Sequence, residues 1–142
     1  MKFRIFAAAV FAALVSLMTS PSALAQRDLP SEVYVDGGQF HVQGIAYDAV
    51  KDCMYMSFTS AFYKVDMQGN IIASVTGING HLGAMTFDAE GRKVYASLEF
   101  KDDSIGANIS KGLGEKSYSR EESSFCIACI DVDKVDRMDV PQ

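Results

Sequence analysis

Two histidines stand forty residues apart in the same local setting. His41 heads the stretch HVQGIAYDAV, and His81 heads HLGAMTFDAE. Imidazole can exchange a proton near neutral pH or ligate a metal. Three carboxylates, Glu99, Asp102 and Asp103, follow the second copy, and the Gln43 amide lies beside His41. Imidazoles and carboxylates together could hold a divalent metal or act as general acid and base. The same positions also suit plainer work. A repeat copies structural residues as well as functional ones, which favours histidines that simply hydrogen-bond neighbouring backbone. An acidic run is more often a solvated loop. No catalytic residue is assigned.

Cysteine chemistry is less promising. Cys126-Ile127-Ala128-Cys129 is a C-x-x-C, but it lies in an apolar run that reads as a strand. Residues i and i+3 of a strand point to opposite faces, which disfavours a local disulfide or a shared metal. With Cys53 the count is three, so at least one thiol has no partner within the chain. The redox state of the three is left open.

The elements that must position these side chains come from an internal repeat. Laying residues 35–58 on 75–98 without a gap gives seven identities in 24 pairs, among them His41/His81, Asp48/Asp88, Tyr55/Tyr95 and Ser57/Ser97. Chance would give roughly one or two. Within the first copy, GIAYD (44–48), CMYMSF (53–58), FYKVD (62–66) and IIASV (71–75) are short apolar runs separated by turn residues. Gly69-Asn70 suits a tight hairpin because both residues tolerate positive φ. Asp48 and Asp88 end the first strand of each copy and read as turn-capping aspartates. Tyr55, Tyr95, Phe58 and Phe87 read as core aromatics.

The second copy repeats AMTFD (84–88) and KVYASLEF (93–100), is interrupted by a polar stretch at 101–124, and resumes with SFCIACIDVD (124–133). Residues 134–140 are expected to supply or begin a fourth strand, and no amphipathic helix is expected. Four short strands per forty residues is the period of a β-propeller blade. The expected fold is therefore all-β: two four-stranded antiparallel blade-like sheets of an incomplete β-propeller. Repeat 1 covers about 35–75. Repeat 2 covers about 75–140, with its long loop at 101–124.

On the strand-opening QGIAYD, the KVDMQGNII hairpin and the matching HLGAMTFD, the chain resembles secreted bacterial propeller proteins of the gluconolactonase/senescence-marker and NHL-type group. The resemblance covers about residues 33–140. It implies a propeller in which both histidines and the 101–124 loop share one loop-rich face near the axis. It also implies, as the competing activity, a metal-dependent lactonase or esterase whose ligands come from several blades. The leading expectation is a binding module that presents that face to a small molecule or protein, through candidate ligand-binding residues His41, Gln43, His81, Glu99, Asp102 and Asp103. Closed propellers need at least four blades, and two leave apolar faces open. Three outcomes are open: a segment of a longer propeller, self-association through exposed blade faces, or two sheets packed on each other.

Residues 1–25 read as a secretory signal peptide. Lys2 and Arg4 precede the apolar run Ile5 to Leu17, Pro21 breaks it, and Ala23-Leu24-Ala25 offers a cleavage site. The mature domain is then 26–142, secreted or periplasmic. Cleavage removes two basic residues and shifts the formal charge from −5 to −7. So acidic a product lacks the clustered Lys and Arg that phosphate backbones need, which argues against nucleic acid. No other apolar stretch reaches membrane-spanning length.

Overall fold

A computed structural model describes residues 28–36 and 41–139 of the chain. The signal-peptide reading at 1–25 falls outside the described residues, as does Val140. Strand formation follows the short apolar runs closely. The first sheet contains β1 (Val42–Asp48), β2 (Cys53–Phe58), β3 (Ala61–Asp66) and β4 (Ile71–Val75), each antiparallel to the one before it. The second contains β5 (His81–Asp88), β6 (Lys93–Phe100) and β7 (Ser124–Asp131), again a simple meander. One helix, α1 (Ser104–Leu113), lies between β6 and β7.

Turn chemistry fixes the register. Asp48 Oδ1 accepts the Val50 and Lys51 N–H groups, each at 3.0 Å. Asp88 repeats this on Glu90 at 3.1 Å and Gly91 at 3.0 Å. In the β3–β4 hairpin, Asp66 accepts from the Gln68 and Asn70 backbone and from the Asn70 side-chain amide. Gly69 there has φ +90, and a Cβ on it would run into the Tyr34 carbonyl. Only glycine meets both conditions. β1 and β5 also carry an irregularity at equivalent places, between Val42 and Gly44 and between Leu82 and Met85. The two sheets therefore share this backbone detail.

The two sheets share one core. Ala46, Cys53, Tyr55, Phe62 and Ala73 of the first pack with Leu82, Val94 and Ala96 of the second. The backbones meet closely where β5 runs beside β1: a Cβ on Gly44 would lie 2.9 Å from both the Gly83 carbonyl oxygen and the Met85 nitrogen. Ser57 Oγ donates to the Gly83 carbonyl at 2.7 Å, and the Thr59 carbonyl accepts from Leu82 N–H at 2.6 Å. A second cluster, Met56, Phe58, Ala61 and Val65, lies on the other side of the first sheet, with Val35 packed against it.

Three expectations need correction. The second sheet has three strands among the described residues, not four. After β7, Val132 and Val135 turn into the core between the sheets, and the chain crosses to the first sheet. There Ser74 N–H donates to the Arg137 carbonyl at 3.0 Å, and Asp139 accepts from the Thr76 hydroxyl at 2.7 Å. Burying two valines outweighs extending an edge. Secondly, the 101–124 stretch contains a helix, α1, where only loop was expected. Thirdly, Tyr95 is not a core residue. It is 39% exposed, whereas its repeat equivalent Tyr55 is 0% exposed, because the second sheet covers the face of Tyr55 and no described element covers that of Tyr95. Among the described residues no helix is long and apolar enough to cross a membrane.

Candidate functional site

Because successive strands reverse direction, the start of β1, the β2–β3 turn, the β4–β5 connection and the β6–β7 insertion all fall at one end of the sheets. The contact of Leu82 N–H with the Thr59 carbonyl shows that the two sheets present this end together. Every candidate residue named from the sequence lies there. His41 is exposed just ahead of β1, and half-buried Gln43 occupies the irregularity of β1. Such bulges re-aim a side chain. His81 opens β5 directly across from Glu99 on β6. Directly opposed residues of an antiparallel pair share a face, so this histidine and this carboxylate are neighbours.

The acidic run is divided among separate tasks. Glu99 Oε1 lies 2.6 Å from Lys101 Nζ, and this contact raises the Lys101 ammonium above its ordinary value. Asp103 is the N-cap of α1: its Oδ1 accepts from Ile105 and Gly106 N–H, both at 2.9 Å. A capping carboxylate satisfies donors that the helix itself leaves orphaned. Asp102 is exposed, and its backbone N–H donates to Ser123 Oγ at 3.0 Å. Among the described residues no group of three or more His, Cys, Asp and Glu side chains is placed to hold a metal ion. Of the expected set, the structure pairs His81 with Glu99 and gives Asp103 a structural task.

What sequence reading missed at this end is how the insertion is held. α1 closes at Gly114, in the left-handed region at φ +73, whose N–H bonds the Lys111 and Ser110 carbonyls. Ile109 and Ser110 are buried. The Tyr118 hydroxyl donates to the Asn79 carbonyl at 2.8 Å, and the Ser110 hydroxyl reaches Asn79 Oδ1 at 3.4 Å. Tyr118 also packs edge-on against Phe100, with centroids 5.1 Å apart. The insertion is thus anchored to the β4–β5 connection, and it leaves Ile105, Ala107, Asn108 and Lys111 facing outward.

At the opposite end sits a charged cluster that the sequence did not reveal. Arg92, in the β5–β6 turn, places Nη1 2.6 Å from Asp48 Oδ2, and its other arm is 3.1 Å from Asp133. The Tyr55 hydroxyl donates to the same Asp48 oxygen at 2.9 Å. Burial alone would raise the Asp48 carboxyl. Bonds from Lys51, Arg92, Tyr55 and Val50 outweigh it and hold the group below the usual carboxylate range. Burial and the bond to Asp48 drive the Tyr55 hydroxyl well above its ordinary value. With every partner engaged, the cluster reads as a clamp between sheets rather than as a reactive site. The thiols are free: Cys53 is buried, and Cys126 and Cys129 are exposed on β7.

No protein-family model matches the chain, and no curated protein matches it.

Proposed function

We propose that the chain is an exported binding module of the β-propeller kind, whose two sheets act as adjacent blades and whose loop-bearing end takes a small molecule or a protein partner. One observation carries this reading. The 101–123 insertion is folded and anchored through Tyr118, Ser110 and Asn79 at the end that also bears His41, Gln43, His81 and Glu99. An ordered insertion on a rigid pair of sheets is the common way for such scaffolds to carry recognition. The forty-residue repeat and the two side-by-side meanders support the blade reading. The acidic balance favours partners other than nucleic acid.

The test is a thermal-shift screen of the chain from Gln26 against sugars, lactones, small organic acids and short peptides, followed by calorimetric titration of any hit. The titration is then repeated on a variant in which a short Gly-Ser bridge replaces 102–123. Lost binding with an unchanged β-sheet circular-dichroism spectrum is the expected result. A ligand bound equally well without the insertion would overturn the proposal.

A further inference from the structure

Each of the two sheets has two outer strands, and the chain shields three of these four edges itself. β1 and β5 close on each other: a Cβ on Gly44 would lie 2.9 Å from the Gly83 carbonyl oxygen. The free side of β4 is taken by residues 137–139. There Ser74 N–H donates to the Arg137 carbonyl at 3.0 Å, and Asp139 N–H donates to Ser74 Oγ at 2.9 Å. β7 is the fourth edge, and among the described residues it pairs with β6 alone. The segment that follows β7, which could have lain beside it, is the one that shields β4.

Nothing blunts the β7 edge. Its pairing with β6 runs from Ser124 to Asp131 without a bulge, and residues 124–130 contain neither charge nor proline. Bulges, charges and prolines are what sheet edges use to refuse a new strand. Val132 N–H donates to the Arg92 carbonyl at 3.2 Å. Backbone groups alternate sides along an antiparallel strand, so Ile130, Ala128 and Cys126 direct theirs at β6. The N–H and C=O groups of Phe125, Ile127 and Cys129 therefore point outward. Two large side chains at these outward positions are also bare, Phe125 at 64% exposed and Ile127 at 61%.

We infer that β7 pairs antiparallel with β7 of a second copy of this chain, about a two-fold axis at Cys126, joining two three-stranded sheets into one of six strands. The strand is self-complementary in this register. Phe125 of each copy falls directly across from Ile127 of the other, so the bare apolar side chains cover each other twice. Their outward backbone groups make the new hydrogen bonds. Ser124 falls across from Ala128. Cys126 meets its own equivalent in a non-hydrogen-bonded pair, with Cα atoms about 4.5 Å apart. No charge lies within the paired stretch to repel a like copy. An axis at Ala128 would set Phe125 across from Asp131, and one at Ile127 would set it across from Cys129.

Thiol trapping on the chain from Gln26 tests the register. Diamide takes the two thiol hydrogens as an Sγ–Sγ bond forms, and it is reduced to the hydrazine. Cys126 and Cys129 are both exposed and Cys53 is buried, so chance collisions treat the first two alike. Only Cys126 meets itself, at a separation a disulfide can span. Cys129→Ser, which keeps Cys126, should form disulfide-linked dimers at least about tenfold faster than Cys126→Ser, because pairing raises the local thiol concentration. The reduced chain should sediment as a dimer as concentration rises. Ile127→Lys, a charge on the edge, should sediment as a monomer and bring Cys126 cross-linking down to the Cys129 rate. Equal cross-linking of the two thiols, an open-ended polymer, or a reduced chain still monomeric at about 100 μM, where micromolar affinity would show, would overturn the inference. The last outcome would leave the edge to a strand of a different protein. Should Ile127→Lys lose its β-sheet spectrum, the comparison of the two serine variants, which keeps Ile127, decides.

Discussion

Replacing Arg92 with Met should destabilise the fold far more than any change at Asp133, although Arg92 contacts both carboxylates. The two arms differ in burial. The Asp48 side chain is 0% exposed and that of Asp133 is 53% exposed. A solvent-facing pair contributes little, so Asp133→Ala should barely move the unfolding midpoint. Stripping the cation from a buried carboxylate costs about 3–5 kcal/mol. Asp48 would keep its bonds from Tyr55, Val50 and Lys51, so the expected loss is roughly 2–4 kcal/mol. The chain has no tryptophan, so urea unfolding is best followed by far-ultraviolet circular dichroism.

The pH dependence gives the sharper check. The Asp48 carboxyl is held below its unfolded value of about 3.9. Its contribution is therefore complete at neutral pH and is lost as pH falls below about 4, through the lowered folded value. Without Arg92 the buried carboxylate gains by taking a proton, so the penalty for Arg92→Met should shrink from pH 7 to pH 3. Equal costs for Arg92→Met and Asp133→Ala, or a gap between Arg92→Met and the parent that stays flat over that range, would refute the claim that a buried charge pair ties the sheets together.

Other substitutions test separate parts of the fold. Gly44→Ala drives a methyl against the backbone of β5, where neither neighbour is a flexible side chain, and should cost about 1–3 kcal/mol in urea unfolding. Gly112→Ala, in a helical position with nothing within 4 Å, should stabilise by about 0.5–1 kcal/mol in the same assay. Asp103→Ala removes the cap of α1 and should cost about 1 kcal/mol, seen first as faster hydrogen exchange at 105–113. Cys126 and Cys129 should alkylate in the native protein, whereas Cys53, buried and with its thiol pushed up by that burial, should react only on unfolding.

Local chemistry was legible in the sequence, and long-range chemistry was not. The strand runs, the Asp48 and Asp88 turns and the Gly69 hairpin depend on residues within a few positions of one another. The helix was also local, but it was masked. Ile105, Ile109 and Leu113 recur every fourth residue behind the Asp103 cap, yet Gly106, Gly112 and Gly114 make the stretch read as loop. Gly106 is needed because a Cβ there would strike the Lys101 carbonyl. Asp103 was a candidate metal ligand because a carboxylate suits a cation and a helix terminus alike, and only backbone geometry separates the two. The partner of Asp48 lies 44 residues away, at a position where the first repeat has aspartate, so the repeat itself hid the clamp. The path of residues 132–139 depended on a tertiary contest between the core and an open edge.

Side chains at matching register positions of the two sheets have no burial of their own. Tyr55 and Tyr95 occupy the same register, and only the presence of a covering sheet distinguishes them. An open face with Phe125, Ile127 and Tyr95 is the kind of patch that either serves a partner or promotes aggregation. It adjoins β7, whose SFCIACI stretch has neither charge nor proline to blunt an edge.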